Sequence, residues 1–411
     1  MNKDLIKKSN MLNEFIKSNW RKSLNEPSGI LKHKFIDPAS VYRGQLWDWD
    51  SFFCGTALLD VYDDTFEYIK GCVMNFIDNQ AQDGSIPYSI NANPENELSY
   101  LLPDTEIKCR DKDSDLNSIK PLLAQMALMV YEKENDAEWL KSILHSPQNH
   151  IEHWEKTQKI SNGLFVWRSY RGSGTDNNPA VYGRPLNSSA AVELNCLMHA
   201  EYISMAKIAN ACNNSLLFNK YTKSAKKLMN SINRHMWDNI DGMYYTLDVL
   251  SQKPELANQE ITWDVYLKFK TWTCFMPLWA KIAPKEYVKR IITEHLVNKN
   301  EFWSDYGIRT LAKNEQAYST TETSNPSNWQ GPIWIVSSYL IFKGVLNYGY
   351  YDIAESIAEN LITVMINDIN ANGVLHEYYN PETGKSNINP GFMNWNALAG
   401  LMIPELLKYN A

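Results

Sequence analysis

No stretch of the chain approaches the roughly 20 consecutive apolar residues that a membrane-spanning helix needs, so no membrane partner is expected. The six cysteines, at 54, 72, 109, 196, 212 and 274, are scattered and form no CxxC pair, which argues against a zinc site and against a disulfide framework. The histidines form no HExxH pattern, and no serine or cysteine sits in a nucleophile elbow, so a metal site and a hydrolase triad are both set aside. Basic residues are outnumbered, 40 Lys plus Arg against 47 Asp plus Glu, and no basic stripe stands out. A net charge of −7 without such a stripe predicts no nucleic-acid partner. The first twenty residues are charged and amphipathic, without the apolar centre of a secretory signal. Together with the unpaired cysteines, this predicts a cytoplasmic protein. Low-complexity tracts, linkers and exact repeats are also missing.

What the chain has in excess is aromatic: 14 Trp and 23 Tyr among 411 residues. Rings fill gaps between packed helices, and they also stack on the C–H faces of sugars. Helical apolar spacing recurs near 2–20, and then in pairs: 49–61 with 64–81, 117–132 with 136–159, 188–211 with 213–236, 271–282 with 284–297, and 331–348 with 350–370. A last helix is expected near 395–408. Joins within pairs are one to three residues long, which forces antiparallel neighbours. Joins between pairs, at 82–116, 160–187, 237–270, 298–330 and 371–394, are long and rich in Gly, Pro, Asn, Asp and aromatics. Hairpins arranged in a ring put every long join at one end, and loops of that length usually carry function. The pattern predicts one all-α domain over 1–411, with a loop-built pocket on one rim.

Five stretches there can carry chemistry. Tyr42–Phe53, YRGQLWDWDSFF, alternates Trp47 and Trp49 with Asp48 and Asp50. Asp50 is either a helix cap or a carboxylate accepting sugar hydroxyls beside a stacking indole. The loop QDGSIPYSI presents Tyr88, and Gln125 follows near the start of the next helix, as a hydroxyl-binding amide or a plain solvated residue. In Ser169–Asn195, SYRGSGTDNNPAVYGRPLNSSAAVELN, a glycine-rich run sets Asp176 in a turn before a helix that Asn187 or Ser188 is expected to cap. Glu193 on that helix can be buried or exposed. The segment NWQGPIWI places Trp329 on the rim and Trp334 one turn into a helix, where a core role is favoured. Finally, HEYYNPETG sets Glu377 among aromatics ahead of an Asn-Pro turn.

These motifs, taken in order with the helix AVELNCLMHAEYISMAKIA, the run YLIFKGVLNYGY and the late PGFMNW, resemble glycoside hydrolase family 63 and its trehalase-like clan. The similarity is to the shorter members that hydrolyse glucosylglycerate and mannosylglycerate, and it spans Trp47 to about Ile403. The resemblance implies an (α/α)6 barrel and inverting hydrolysis of an α-glycoside, with no cofactor. It implies that Asp176 is the general acid and Glu377 the general base, the acid with a raised pKa and the base ionised in a more polar setting. It implies that Trp47, Trp49, Asp50, Tyr88, Gln125, Arg184, Trp329 and Trp334 line the subsite for a small carbohydrate substrate. Asn328 stands where these relatives are expected to carry an aromatic, and Arg43 near an expected tyrosine. Arg43, Arg171 and Arg184 are the cations available to a glycerate carboxylate. Two other classes share the frame. A sugar isomerase or epimerase commonly uses histidines, and His376 alone is on offer. A non-catalytic carbohydrate-binding protein would not need Asp176 and Glu377.

Overall fold

A computed structural model describes residues 3–59, 64–93, 117–250, 265–321 and 326–410. Its helices form two concentric rings, the (α/α)6 barrel that the family resemblance implies and with which the pairing of helical patterns agrees. Among the described residues, the inner ring contains α2 (Asp48–Leu58), α4 (Leu123–Glu134), α7 (Val192–Ala211), the one-turn α9 (Met276–Trp279), α11 (Ile335–Asn347) and a 3-10 helix (Asn394–Leu401). The 3-10 helix runs on into α13 (Met402–Asn410). The outer ring contains α1 (Lys3–Asn19), α3 (Thr65–Asp78), the pair α5 (Ala137–Ile143) and α6 (His145–Thr157), α8 (Ser215–His235), α10 (Lys285–Arg290) and α12 (Tyr351–Asn372). Packing runs from α4 to α7, α9, α11, the 3-10 helix and α2, and α3 bridges α2 back to α4.

Which ring a helix joins follows from how much of its surface is apolar. On α11 the residues from Ile335 to Phe342 are all buried, as a helix covered on both sides requires. On α8 only Tyr221, Ala225, Leu228 and Ile232 are buried, one stripe on an otherwise polar helix. Gly344 lets α11 approach α9 closely, because a Cβ there would lie 2.9 Å from that of Leu278. The amino terminus of α4 is capped from the neighbouring helix rather than locally. The buried carboxylate of Glu201 on α7 accepts from the Ala124 amide at 2.6 Å and the Gln125 amide at 3.2 Å. Burial nevertheless pushes its pKa up to about 7.

Several expected boundaries move. The segment 136–159 breaks at Leu144 into two helices. The segment 284–297 changes from α10 into a π-helical turn over Ile291–Leu296. The segment 271–282 holds only a 3-10 turn and α9, and α7 and α11 each begin about four residues late because short strands precede them. The cap of α7 is Ala191, with no side-chain bond, in place of Asn187 or Ser188. The join at 62–63, parts of the joins 82–116, 237–270 and 298–330, and Cys109 lie outside the described residues.

Replacing Glu201 by Ala leaves two buried amides unpartnered and should cost about 2–3 kcal/mol in urea unfolding. Glu201→Gln, which keeps one acceptor, should cost less. Equal stability of both variants with the parent would show that α4 caps itself.

Candidate active site

Among the described residues, short antiparallel strands stitch parts of the long joins to one another and to the starts of inner helices. Gln45–Trp47 pairs with Ser89–Asn91, and Ile333–Trp334 pairs with Tyr378–Tyr379, which also pairs with Ser386–Asn387. Because α2 begins at Asp48 directly after its strand, Asp48, Trp49 and Asp50 fill its first turn and are all buried. Asp48 forms an ion pair with Lys120 across the ring, at 3.0 and 3.3 Å, and also accepts the Lys120 amide at 2.8 Å. Both side chains are no more than 3% exposed. The Lys120 ammonium lies 4.7 Å from the centroid of the Trp49 ring. The 174 position lies against this unit. Gly174 has φ 72°, and a Cβ there would fall 2.8 Å from Trp49 and 3.3 Å from the Lys120 nitrogen.

Asp176 follows in a turn and is half-buried. Its neighbour Asn177 fastens this loop to the segment 328–330. The Asn177 side chain donates to Asn328 at 3.0 Å and accepts the Trp329 amide at 2.6 Å, and its carbonyl accepts from Gln330 at 3.0 Å. Asn328, fully buried, also donates to the carbonyls of Ser319 and Thr321. An amide thus stands in place of the expected aromatic because the position works as a hydrogen-bonding hub.

Glu377 is held from both sides. Asp368 on α12 accepts from the amide and ring of His376 and from the Tyr379 hydroxyl, at 3.0–3.1 Å. Asn396 donates to the His376 carbonyl at 2.8 Å. The carboxyl of Glu377 accepts from Asn389. Burial, opposed by that bond and reinforced by the charge of Asp176, pushes its pKa up to about 7. The expected polar setting is therefore corrected: Glu377 is only 4% exposed. Asp50 is also raised well above the ordinary carboxylate range, first by burial, then by Asp48 and with a share from Glu377. Lys120 and a hydrogen bond from Asn394 act against this.

The structure gathers Asp50, Asp176 and Glu377 around one phenol. The Tyr42 hydroxyl is held well above its usual pKa by burial and by the charges of Glu377, Asp176 and Asp50, in that order. Trp47 and Tyr88, both half-buried, pack edge to face at 5.8 Å, and Tyr42 meets Trp47 at 6.3 Å. Arg43, next to Tyr42 in the chain, is exposed and bonds the Lys22 carbonyl.

Other expected site residues are placed differently. Trp334 is the last residue before α11, not one turn inside it. It stacks between Trp329 at 3.9 Å and Tyr378 at 4.9 Å. Trp329 in turn packs against Trp49 at 5.8 Å and Trp272 at 6.0 Å. With both rings 1% exposed, their faces are taken up by other rings, and they form the wall behind the site rather than its lining. The Gln125 amide donates to the carbonyls of Pro121 and Leu197, so it ties α4 to α7. Arg184 pairs with Asp248. Glu193 is buried and accepts from Trp167 at 3.0 Å. Lys120, Asn389 and Asn394 were not anticipated. The last two lie in or beside PGFMNW, a motif noted for its similarity but not for its amides.

A helical barrel with aromatic walls and a cluster of buried carboxyls at one rim is the architecture of a sugar-processing enzyme. The Mannosylglycerate hydrolase MGH1-like glycoside hydrolase domain matches residues 43–395, and the chain belongs to that family, within glycoside hydrolase family 63. The chain is 31% identical over 147 residues to a probable mannosyl-oligosaccharide glucosidase of Schizosaccharomyces pombe, covering 33% of this chain and 18% of that protein. It is 22% identical over 256 residues to mannosylglycerate hydrolase MGH1 of Selaginella moellendorffii, covering 60% of this chain and 46% of that protein. The chain thus spans less than half the length of these two relatives. The crystal structure of a GH63 mannosylglycerate hydrolase from Thermus thermophilus in complex with glucose superposes with a TM-score of 0.70. It does so over 95% of this chain and 99% of that one, at 17% identity, which shows a shared fold.

Removing one partner of the buried pair should be costly. Lys120→Met leaves Asp48 charged and unpaired, and should destabilise by about 3–5 kcal/mol in denaturant titration. Adding Asp48→Asn should recover much of that loss. Additive losses would mean the two groups do not depend on each other.

Proposed function

We propose that the protein hydrolyses a small α-glycoside with inversion at the anomeric carbon. Asp176 protonates the departing glycosidic oxygen as the C–O bond breaks. Glu377 takes a proton from the water that attacks the opposite face. The observation that carries this reading is the placement of Glu377: a buried carboxyl, hydrogen-bonded by an amide, within electrostatic reach of Asp176 on a separate loop. An inverting pair needs roughly 6.5–9.5 Å between carboxyls to admit the water. Carboxyls on separate loops of one rim suit that requirement.

A base works best with a pKa near the working pH, and Glu377, pushed up to about 7, meets that condition. Trp47, Tyr88 and Tyr42 offer ring surface and hydroxyls to the sugar. Asp50, buried and bonded by Asn394, accepts or donates to sugar hydroxyls according to its protonation. An isomerase or epimerase commonly uses histidines as both acid and base, and His376, bonded to Asp368 through Nδ1, is the one these motifs offer.

The substrate class that fits is a glucoside or mannoside with a small polar aglycone, glucosylglycerate and mannosylglycerate among them. Of the three arginines considered for a glycerate carboxylate, Arg184 is neutralised by Asp248 and Arg43 faces outward. Arg171, on the turn Tyr170–Ser173 just before Asp176, is the cation this reading assigns to the aglycone.

Asp176→Asn and Glu377→Gln should fold normally and lose about 10²–10⁴-fold in kcat, measured as free sugar released from glucosylglycerate, mannosylglycerate and neutral α-glucosides. Proton NMR of the parent reaction should show the β-anomer first; initial release of the α-anomer contradicts inversion. In the free enzyme kcat/KM should fall as pH drops through about 7, because protonating Glu377 removes the base. A profile flat from pH 8 to pH 5 would take that role from Glu377.

A further inference from the structure

Glu377 is met by a pair of backbone distortions that the hydrolytic scheme does not require. Among the described residues, four of the eight non-glycine positions with positive φ occur singly, at Asn135, Asn187, Asn213 and Lys281. Two doublets break that pattern: Ala39–Ser40, at 61° and 53°, and Ile388–Asn389, at 25° and 47°. Positive φ is costly for any side chain and most of all for a β-branched one, so Ile388 is a genuine outlier. Asn389 also precedes Pro390, which narrows its choices further. The first doublet reaches the residue after the second, since the Ser40 hydroxyl donates to the Pro390 carbonyl at 3.3 Å.

Each doublet delivers one side chain to the same place. Ala39–Ser40 leads into the turn that carries Tyr42, and the carboxylate of Asp37 holds this turn by accepting the Ala39 and Gly44 amides at 2.8 and 2.9 Å. Ile388–Asn389 turns the Asn389 amide onto Glu377 Oε2. Asn389 also acts on the Tyr42 hydroxyl, favouring its ionised form against burial and the three carboxyl charges. Strain of this kind persists only where the surroundings hold it in place, and it gathers at functional sites.

We propose that Asn389 is a positioning residue for the reaction, its amide holding the Glu377 carboxylate in the orientation and charge state in which it takes a proton from water. This rests on the reading of Glu377 as general base. The groups facing that carboxyl are Asp176 from the acid loop, Asp50 from α2 and Tyr42 from the turn before it. None of them supplies a positive charge. Asn389 is the hydrogen-bond donor recorded on Glu377 that favours its ionised form, against burial and the charge of Asp176.

Asn389→Gly tests the point without endangering the fold, because glycine adopts φ 47° readily while the amide is lost. The melting temperature should stay level or rise. The ascending limb of kcat/KM against pH should move up by roughly half to one unit. Asn389→Asp, which sets a further carboxylate against Glu377, should move it up more than Gly does. The order parent, Gly, Asp along the pH axis supports the proposal, since a merely structural asparagine would not produce it. An unmoved limb in Asn389→Gly overturns it, as does a limb that moves down. The two readings fail separately. If Glu377→Gln keeps its activity the general-base assignment falls, whereas a normal parent limb that ignores position 389 defeats only the present inference.

Discussion

Taking the carboxyl of Glu377 out of water is the act on which the rest of the site depends. Burial alone would keep such a group protonated and useless as a base. Two neighbours set the balance: Asn389 favours the ionised form, and the negative charge of Asp176 opposes it. On the proposed reading the outcome, a group pushed up to about 7, is a base poised to accept a proton rather than one permanently charged or permanently neutral. Around it, Asp368 anchors the residues on either side, so that the carboxyl is fixed through the backbone as well as through its own oxygens.

The same logic orders the floor beneath. Asp48 and Lys120 neutralise each other in a dry interior, with the Trp49 ring under the ammonium and Gly174 pressed against both. A buried pair of this kind adds little net stability compared with apolar packing, but it fixes geometry. It ties the first turn of α2, which carries Asp50, to the segment entering α4 and to the loop of Asp176. The stack of Trp334, Trp329, Trp49 and Trp272 does the corresponding work with dispersion and ring quadrupoles. Charge and rings together make a rigid wall, so the half-buried Trp47 and Tyr88 are left to meet a ligand.

Much of this was legible beforehand, and the parts that were not share a cause. Helix pairing and long joins were readable because a 3.6-residue period and short turns are local signals, and the resemblance turned them into a barrel. The grouping of Asp176, Asp50 and Glu377 came through motif resemblance. Trp329 was expected on the rim, and Trp334 was read as core from its position but as lining from the resemblance, because a tryptophan that stacks on sugar and one that stacks on its neighbours have the same local sequence. Gln125 and Arg184 acquired partners, in Leu197 and Asp248, that lie 72 and 64 residues away in the chain. Lys120 carries no local signal, since its partner Asp48 lies 72 residues away in the chain. Asn389 was hidden more deeply, since its role depends on backbone angles that no spacing rule predicts for Ile-Asn-Pro. Late α7 and α11 starts have the same origin: strand pairing with distant loops claimed residues whose own pattern read as helix.

The most direct test of a two-carboxyl site is to titrate Glu377 itself. In protein labelled with carbon-13 at glutamate side-chain carboxyls, the resonance lost in Glu377→Gln should titrate near 7. In Asp176→Asn its midpoint should move down, because a facing negative charge has been removed. A Glu377 resonance that titrates in the ordinary glutamate range, or one indifferent to Asp176, would contradict the account.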